Sequence, residues 1–143
     1  MAKQYAKYKI YKDRNLLIEY YFGKLDLNFL KEFKKRIISD PDYISGINCF
    51  INFKNASFNL TTQEISEFVG FIGQNSSKLG KRKLAMITNS PNQVVSTSLY
   101  KILQQDLNQS VEIFSTYEKA LKWLDSDVTA QEITEFLKEL KNS

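Results

Sequence analysis

The chain contains no histidine. That absence removes Ser-His-Asp and Cys-His catalysis and the usual zinc and haem ligand sets, all of which rely on an imidazole. Cysteine occurs once, at Cys49, so no internal disulfide can form. It lies in the apolar run INCFINF and is expected in the core rather than as a nucleophile. Proline and glycine are scarce, at two and five in 143 residues, which points to regular structure with short connections. No apolar run approaches about 20 residues, so no membrane-spanning helix is expected. The start, MAKQYAKYKIYK, lacks the apolar stretch of a secretory signal. The expected compartment is the cytoplasm. The Asn-x-Ser/Thr tripeptides at Asn55, Asn59, Asn75 and Asn108 carry no meaning there.

What is present suits one domain. Apolar residues make up 43% and charged residues 25%. At this length folding buries roughly two-thirds of the chain's surface, enough for a core without metal or disulfides. The net charge of +4 is modest and does not form a nucleic-acid footprint. Lys3, Lys7, Lys9, Lys12 and Arg14 alternate with Tyr5, Tyr8, Ile10 and Tyr11. A strand with one wet, charged face explains that pattern.

Periodicity gives the order of elements. YKIYKD and NLLIEYYF read as two strands around a tight turn at Asp13-Arg14, with Gly23 breaking the pattern. Leu27, Leu30, Phe33 and Ile37 recur at helical spacing with Lys31, Lys34 and Lys35 between them, until Asp40-Pro41. INCFINF (47–53) suits a strand covered on both faces, followed by a polar turn. Ile65, Phe68, Val69 and Ile72 mark the next helix. KLAMIT (83–88) is a fourth strand, and Ser90-Pro91 opens a helix whose apolar side is Val95, Leu99, Ile102 and Leu103. VEIF (111–114) is the fifth strand. A helix with Tyr117, Ala120, Leu121 and Leu124 follows, then a last one with Ile133, Phe136, Leu137 and Leu140. Strands alternating with helices imply a mostly parallel sheet with right-handed crossovers, plus one antiparallel hairpin at its edge.

The segments YKDRNLLIEYYFGKLD, CFINFKNASF, LAMITNSP and VEIFSTYEKALKWL carry a family resemblance. The last is the most characteristic, ending in Ala120-x-x-Trp123-Leu124. The chain resembles SpoIIAA-like proteins of the STAS group, the anti-sigma-factor antagonists, whose fold is related to the SEC14 lipid-binding domain. The resemblance covers about residues 7–124. It implies an α/β fold with a mostly parallel five-stranded sheet, an antiparallel N-terminal edge hairpin and four to five helices. On this reading 1–124 form the STAS-like domain and 125–143 an amphipathic helix docked on it. The resemblance also implies a module for protein–protein regulation, with a kinase or regulator as partner. In the best-known members an Asp-Ser pair before the second helix carries a regulatory phosphate. Here Leu60 stands at the Asp position, Thr61 at the Ser position and Gln63 near the usual Gly. Two of three signature positions differ, which argues against the usual phosphoswitch.

Thr61-Thr62-Gln63-Glu64 also fits a capping box, and the same spacing recurs at Ser90–Gln93, Ser115–Glu118 and Thr129–Glu132. A cap accounts for Thr61 at about 1 kcal/mol. Thr61 and Thr62 remain candidate phospho-acceptors, because a helix N-terminus accepts the added negative charge.

Other chemistry is thin. Gly73 to Lys81 has the wrong gap for a phosphate loop, and it follows a helix rather than a strand. The cations Lys78, Lys81, Arg82 and Lys83 are read as lying near a helix C-terminus. Asp125-Ser126-Asp127 lacks the Gly and distal Glu of a calcium loop. Glu64 and Glu67 are accounted for as cap and surface. Open α/β sheets bind ligands beyond the C-terminal ends of their strands. Asn55, Ser57, Thr88, Asn89 and Ser90 fall there, as polar groups suited to binding rather than reaction. Phe71 falls off its helix's apolar stripe and is a candidate partner contact. The chain therefore reads as a non-catalytic, cytoplasmic regulatory module without a cofactor or metal, acting on a protein partner. The alternative is a carrier of a small apolar molecule or lipid.

Overall fold

The computed structural model describes residues 3–143. Five strands lie in chain order, β1 (Tyr5–Tyr11), β2 (Leu16–Leu25), β3 (Asn48–Phe58), β4 (Arg82–Ile87) and β5 (Gln109–Phe114). β1 pairs antiparallel with β2, and every other pair is parallel. Six helices connect or cover them: α1 (Leu27–Ser39), α2 (Thr62–Gln74), α3 (Ser76–Leu79), α4 (Pro91–Leu103), α5 (Tyr117–Trp123) and α6 (Ala130–Lys141). α3 is a single turn where a loop was expected.

Three expected boundaries move. The hairpin turn is a 3₁₀ turn at Lys12–Arg14 closed by Asn15 in the left-handed region, φ 49°. Asparagine tolerates that conformation better than most residues. β2 does not break at Gly23 but runs to Leu25, with a bulge against β3 between Tyr20 and Phe22. Gly23 has φ 91°, and a Cβ there would collide with the Lys3 carbonyl. The glycine therefore lets the strand pass close under the chain rather than stop. β3 likewise continues through NASF to Phe58, so the polar turn expected after Phe53 is strand.

The sheet is covered on both faces. Leu17, Tyr21, Ile51, Phe53, Leu84 and Met86 pack with Phe33, Ile65, Phe68 and Tyr100, under α1, α2 and α4. Leu16, Ile18, Phe50, Ala85 and Ile87 pack with Leu121, Ile133 and Leu137, under α5 and α6. Successive strand residues point to opposite faces, so adjacent apolar residues feed both cores.

The helices begin as their caps dictate, with two changes. Thr61 and Thr129 form complete capping boxes with Glu64 and Glu132. Ser90 accepts from the Gln93 amide, but the Gln93 side chain goes elsewhere. The α5 cap is Thr116 rather than Ser115, one residue later than the box spacing suggested.

α6 lies on the β1–β2 hairpin. Tyr11 stacks on Phe136 with centroids 4.4 Å apart. Arg14 donates to Glu132 at 3.1 Å through both terminal nitrogens, and its Nε donates to Asp127 at 3.0 Å. The hydrogen bonds from Arg14, and after them that from the Thr129 amide, hold the Glu132 carboxyl at about 2, against an ordinary value of 4.5. A depressed folded pKa stabilises above the unfolded value and is lost as pH falls through the folded one. Glu132→Gln should therefore lower stability at pH 7, with the deficit shrinking between pH 4.5 and about 2. Urea melts of both proteins across that range check it.

Candidate functional site

Most of the polar residues expected at the strand ends are bonded within the protein, to Tyr20, Phe114 and above all Gln93. Gln93, on the first turn of α4, is 2% exposed. Its Nε2 donates to the Ala56 carbonyl at 2.8 Å and the Lys54 carbonyl at 3.3 Å. Its Oε1 accepts from the Asn89 amide at 2.6 Å. Beside it, Asn92 accepts from the Phe58 amide at 2.7 Å and donates to the Phe58 carbonyl at 3.1 Å, as a neighbouring strand would. Thr88 is buried and its amide donates to Phe114. Ser90 is the α4 cap, and Asn55 donates to the Tyr20 hydroxyl at 2.7 Å. Asn89 and Ser57 are exposed. The crevice mouth that open α/β sheets offer to ligands is thus stapled shut by the protein's own amides.

This staple rotates α4. Its buried residues are Gln93, Thr97 and Tyr100, followed by Gln104 just past its end. The stripe expected to face the core instead faces water: Val95 is 59% exposed and Ile102 58%, with Val94 and Leu103 also exposed. Leu99 alone of the expected four packs partly on the core. Thr97 returns its hydroxyl to the Gln93 carbonyl at 2.8 Å, while Gln104 Oε1 has no partner among the described residues. Lys101 leaves the helix to meet Glu112 on β5 at 2.6 Å. Val111 packs under α4 and Phe114 under α5, so by alternation Glu112 lies on the far face. The Lys101 side chain therefore crosses the open edge of β5.

At the start of α2 the two hydroxyls differ. Thr61 Oγ1 accepts from the Glu64 amide at 3.1 Å, and Glu64 returns a carboxylate oxygen to the Thr61 amide at 2.9 Å. Thr62 is exposed and takes no part in that box. Phe71 is half-buried against Phe68, centroids 6.0 Å apart, one helical turn beyond Glu67, which pairs with Lys31 of α1.

Sequence reasoning missed a charged cluster inside the α1–α2–α4 layer. Glu19 on β2 is fully buried and accepts from Lys34 Nζ and the Tyr21 hydroxyl, each at 2.5 Å on the same oxygen. Its other oxygen has no partner among the described residues. Arg82, read from sequence as one of the cations near a helix C-terminus, is 3% exposed. It donates to Gln109 Oε1 and to Cys49 Sγ, all at 3.3 Å, and Gln109 donates on to the Tyr100 hydroxyl at 2.7 Å. Burial pushes the Cys49 thiol up, with the Arg82 cation pulling the other way, so the sulfur is a neutral thiol at pH 7. Burial likewise raises Tyr100 to about 12. An apolar crevice of about 50 Å³ lies above, between α2 and α4, with Phe58, Leu60 and Ser96 at its half-exposed end. Among the described residues no group of three His, Cys, Asp or Glu could hold a metal, and no helix is long and apolar enough to cross a membrane.

An uncharacterised protein of the DUF3478 family from Shewanella loihica PV-4, with a SpoIIAA-like fold, matches this architecture. The TM-score is 0.55 at 16% identity, over 87% of this chain and 95% of that one. The fold is therefore SpoIIAA-like, as the resemblance implied. No family model and no curated protein matches the chain.

Four outcomes follow from the staple and the cap. Gln93→Leu keeps the side chain's bulk and orphans three backbone groups, so it should cost about 2–3 kcal/mol. Val95→Gln should change stability by less than about 0.5 kcal/mol, the opposite of what hydrophobic spacing suggests. At the α2 start, Thr61→Ala should cost about 1 kcal/mol and Thr62→Ala a few tenths. Equilibrium urea denaturation measures all four.

Proposed function

We propose that this chain is a non-catalytic, cytoplasmic interaction module of STAS type that docks a partner protein through the outer face of α4 and its seam with α2. The observation that carries the reading is the inversion of α4. Val94, Val95, Ile102 and Leu103 leave on the order of 350 Å² of apolar surface in water. Placing polar groups inward and valines outward is costly for folding alone, and such conflicts mark places where function sets the sequence.

The occupant is a transient partner of another kind rather than a second copy. A stable dimer buries about 800 Å² on each side, roughly twice what this stripe offers. The edge of β5 beside it, which a second copy would extend, is crossed by the Lys101–Glu112 bridge. The stripe itself is uncharged, and Lys101 is neutralised by Glu112, so the matching surface is apolar and weakly charged. Leu99, half-buried, extends the patch toward α2. Thr62 at the other end of α2 is the hydroxyl free for a regulatory phosphate, since Thr61 is spent as the cap. The lack of histidine and the internal use of the strand-end amides support a binding rather than a reacting role.

The carrier reading needs a cavity of a few hundred Å³. The apolar crevice of about 50 Å³ is far below that, and the larger hollows of about 310 and 590 Å³ beside the β1–β2 turn are open and lined largely by charged residues such as Asp13, Arg14 and Asp127, which does not suit an apolar ligand.

The test is a photo-crosslinking amino acid placed at Ile102 and, as control, at Lys122 on the opposite layer, in cells. A discrete heterologous adduct from position 102 alone, abolished by Val95→Asp, is expected. A self-adduct, or equal labelling from both positions, would overturn the reading.

A further inference from the structure

We propose that the bare end of β1, β2 and β3, beyond the C-terminus of α6, binds a short run of single-stranded nucleic acid, with bases stacked on Tyr5 and Phe22 and phosphates held by Lys24, Lys54 and Lys141. This inference does not depend on the docking face, which lies on the other side of the sheet.

Strand register and helix length make the site. On the α5–α6 face, Tyr5, Phe22 and Asn55 form one row across three strands, and Lys24 and Ser57 lie in the next row outward. All five are exposed. α6 ends before it reaches these rows. At its last residue Lys141 stands over the Tyr20 ring at 5.0 Å, and the Lys141 carbonyl accepts from Lys7. α5 begins on the far side, where Tyr117 packs on Phe50 and Lys54 stands over the Tyr117 ring at 4.4 Å. The surface therefore has a step, with sheet as its floor and helix ends as its walls. Charge on the step has one sign. Lys7, Lys24, Lys54 and Lys141 border it, and none of the four is in a salt bridge among the described residues. No Asp or Glu stands in either row. The chain-wide net charge of +4 conceals this local excess, because it averages over the whole surface. The complementary occupant is an anion.

The floor narrows the class of anion. Tyr5 and Phe22 are cross-strand partners, stacked with centroids 4.9 Å apart and planes at 15°, and each is 37% exposed. Aromatic rings on an open sheet stack flat, unpaired bases, while lysines neutralise the phosphates between them. Asn55 gives one amide hydrogen to the Tyr20 hydroxyl and keeps its carbonyl oxygen and second hydrogen for a base edge. An inorganic anion would use the lysines and leave the rings idle. A flat bilayer would meet α5 and α6, each about 10 Å thick, before it met the floor. Strands about 4.8 Å apart and rows about 7 Å apart leave room for two or three nucleotides.

The experiment titrates the full chain into a fluorescein-labelled hexauridylate and follows its anisotropy between about 50 and 200 mM salt. The dissociation constant should be on the order of 10⁻⁵ M at the lower salt, and log K should fall against log salt with a slope of about −2, for two to three phosphates. Phe22→Ala should weaken binding about tenfold and leave the slope as it is. Lys54→Gln should flatten the slope by about 0.7. On the wild type, amide resonances of Phe22, Lys24 and Asn55 should shift saturably with hexauridylate, which reads the site even where a variant fails to fold. No binding tighter than about 1 mM, equal affinity for a duplex of the same length, or Phe22→Ala binding as the wild type does would each overturn the proposal. So would tighter binding to phosphatidylserine vesicles through the same residues, which would make the occupant a membrane.

Discussion

The position of α4 is set by one side chain. Gln93 bonds to two carbonyls of the β3 extension and to the amide that precedes the α4 cap. These are backbone groups that a parallel sheet leaves open where a strand outruns its neighbour. β3 outruns β4, whose pairing with it ends at Asn52–Ile87. Without Gln93 and Asn92, the end of β3 would face α4 with open amides and carbonyls. Buried backbone groups demand partners, and that demand outweighs the preference for putting valine and isoleucine inside. The outward apolar face and the closed strand-end mouth follow from it. So does the shape of the crevice beneath, because α4 meets the sheet through Thr97 and Tyr100 rather than through bulky aliphatic residues.

Much of this fold could be read from the sequence. Strands β1 to β5 and the five longer helices announce themselves by period, because their apolar residues meet a sheet on one side and water on the other. The SpoIIAA-like resemblance agreed with that order. α4 was misread because it carries two stripes at helical spacing. Val95, Leu99 and Ile102 form the apolar one, while Gln93, Thr97, Tyr100 and Gln104 form the one that is buried. Periodicity detects a stripe but not the unsatisfied strand it must serve. The extension of β3 through Asn55 and Ser57 was hidden for a related reason. That segment is wet on one side and looks like a turn to any reading by hydrophobicity.

The site was less legible than the fold. Arg82 lies in a run with Lys81 and Lys83, and nothing local says that the middle cation turns inward. It does so because β4 begins there, and alternation sends Arg82 and Leu84 to the α1–α2–α4 face. Lys83, on the other side, caps α5 by donating to the Trp123 carbonyl at 2.9 Å. Glu19 was likewise one letter in an apolar strand. Its partner Lys34 was one of three lysines set among the apolar residues of α1. Only the register of strand against helix brings the two together.

The sheet keeps the order of the chain, β1-β2-β3-β4-β5. Each strand emerging from a ribosome would therefore find its partner already formed at the growing edge, with no strand to be inserted between two others. Assembly of this kind needs little long-range search, so it limits the time that bare edges are exposed. The exception is α6, which crosses back over the completed sheet to the hairpin made first. The ion pairs from Arg14 to Glu132 and Asp127 are then a clasp between the first hairpin of the sheet and α6, closing a layer that stays uncovered until α6 has emerged.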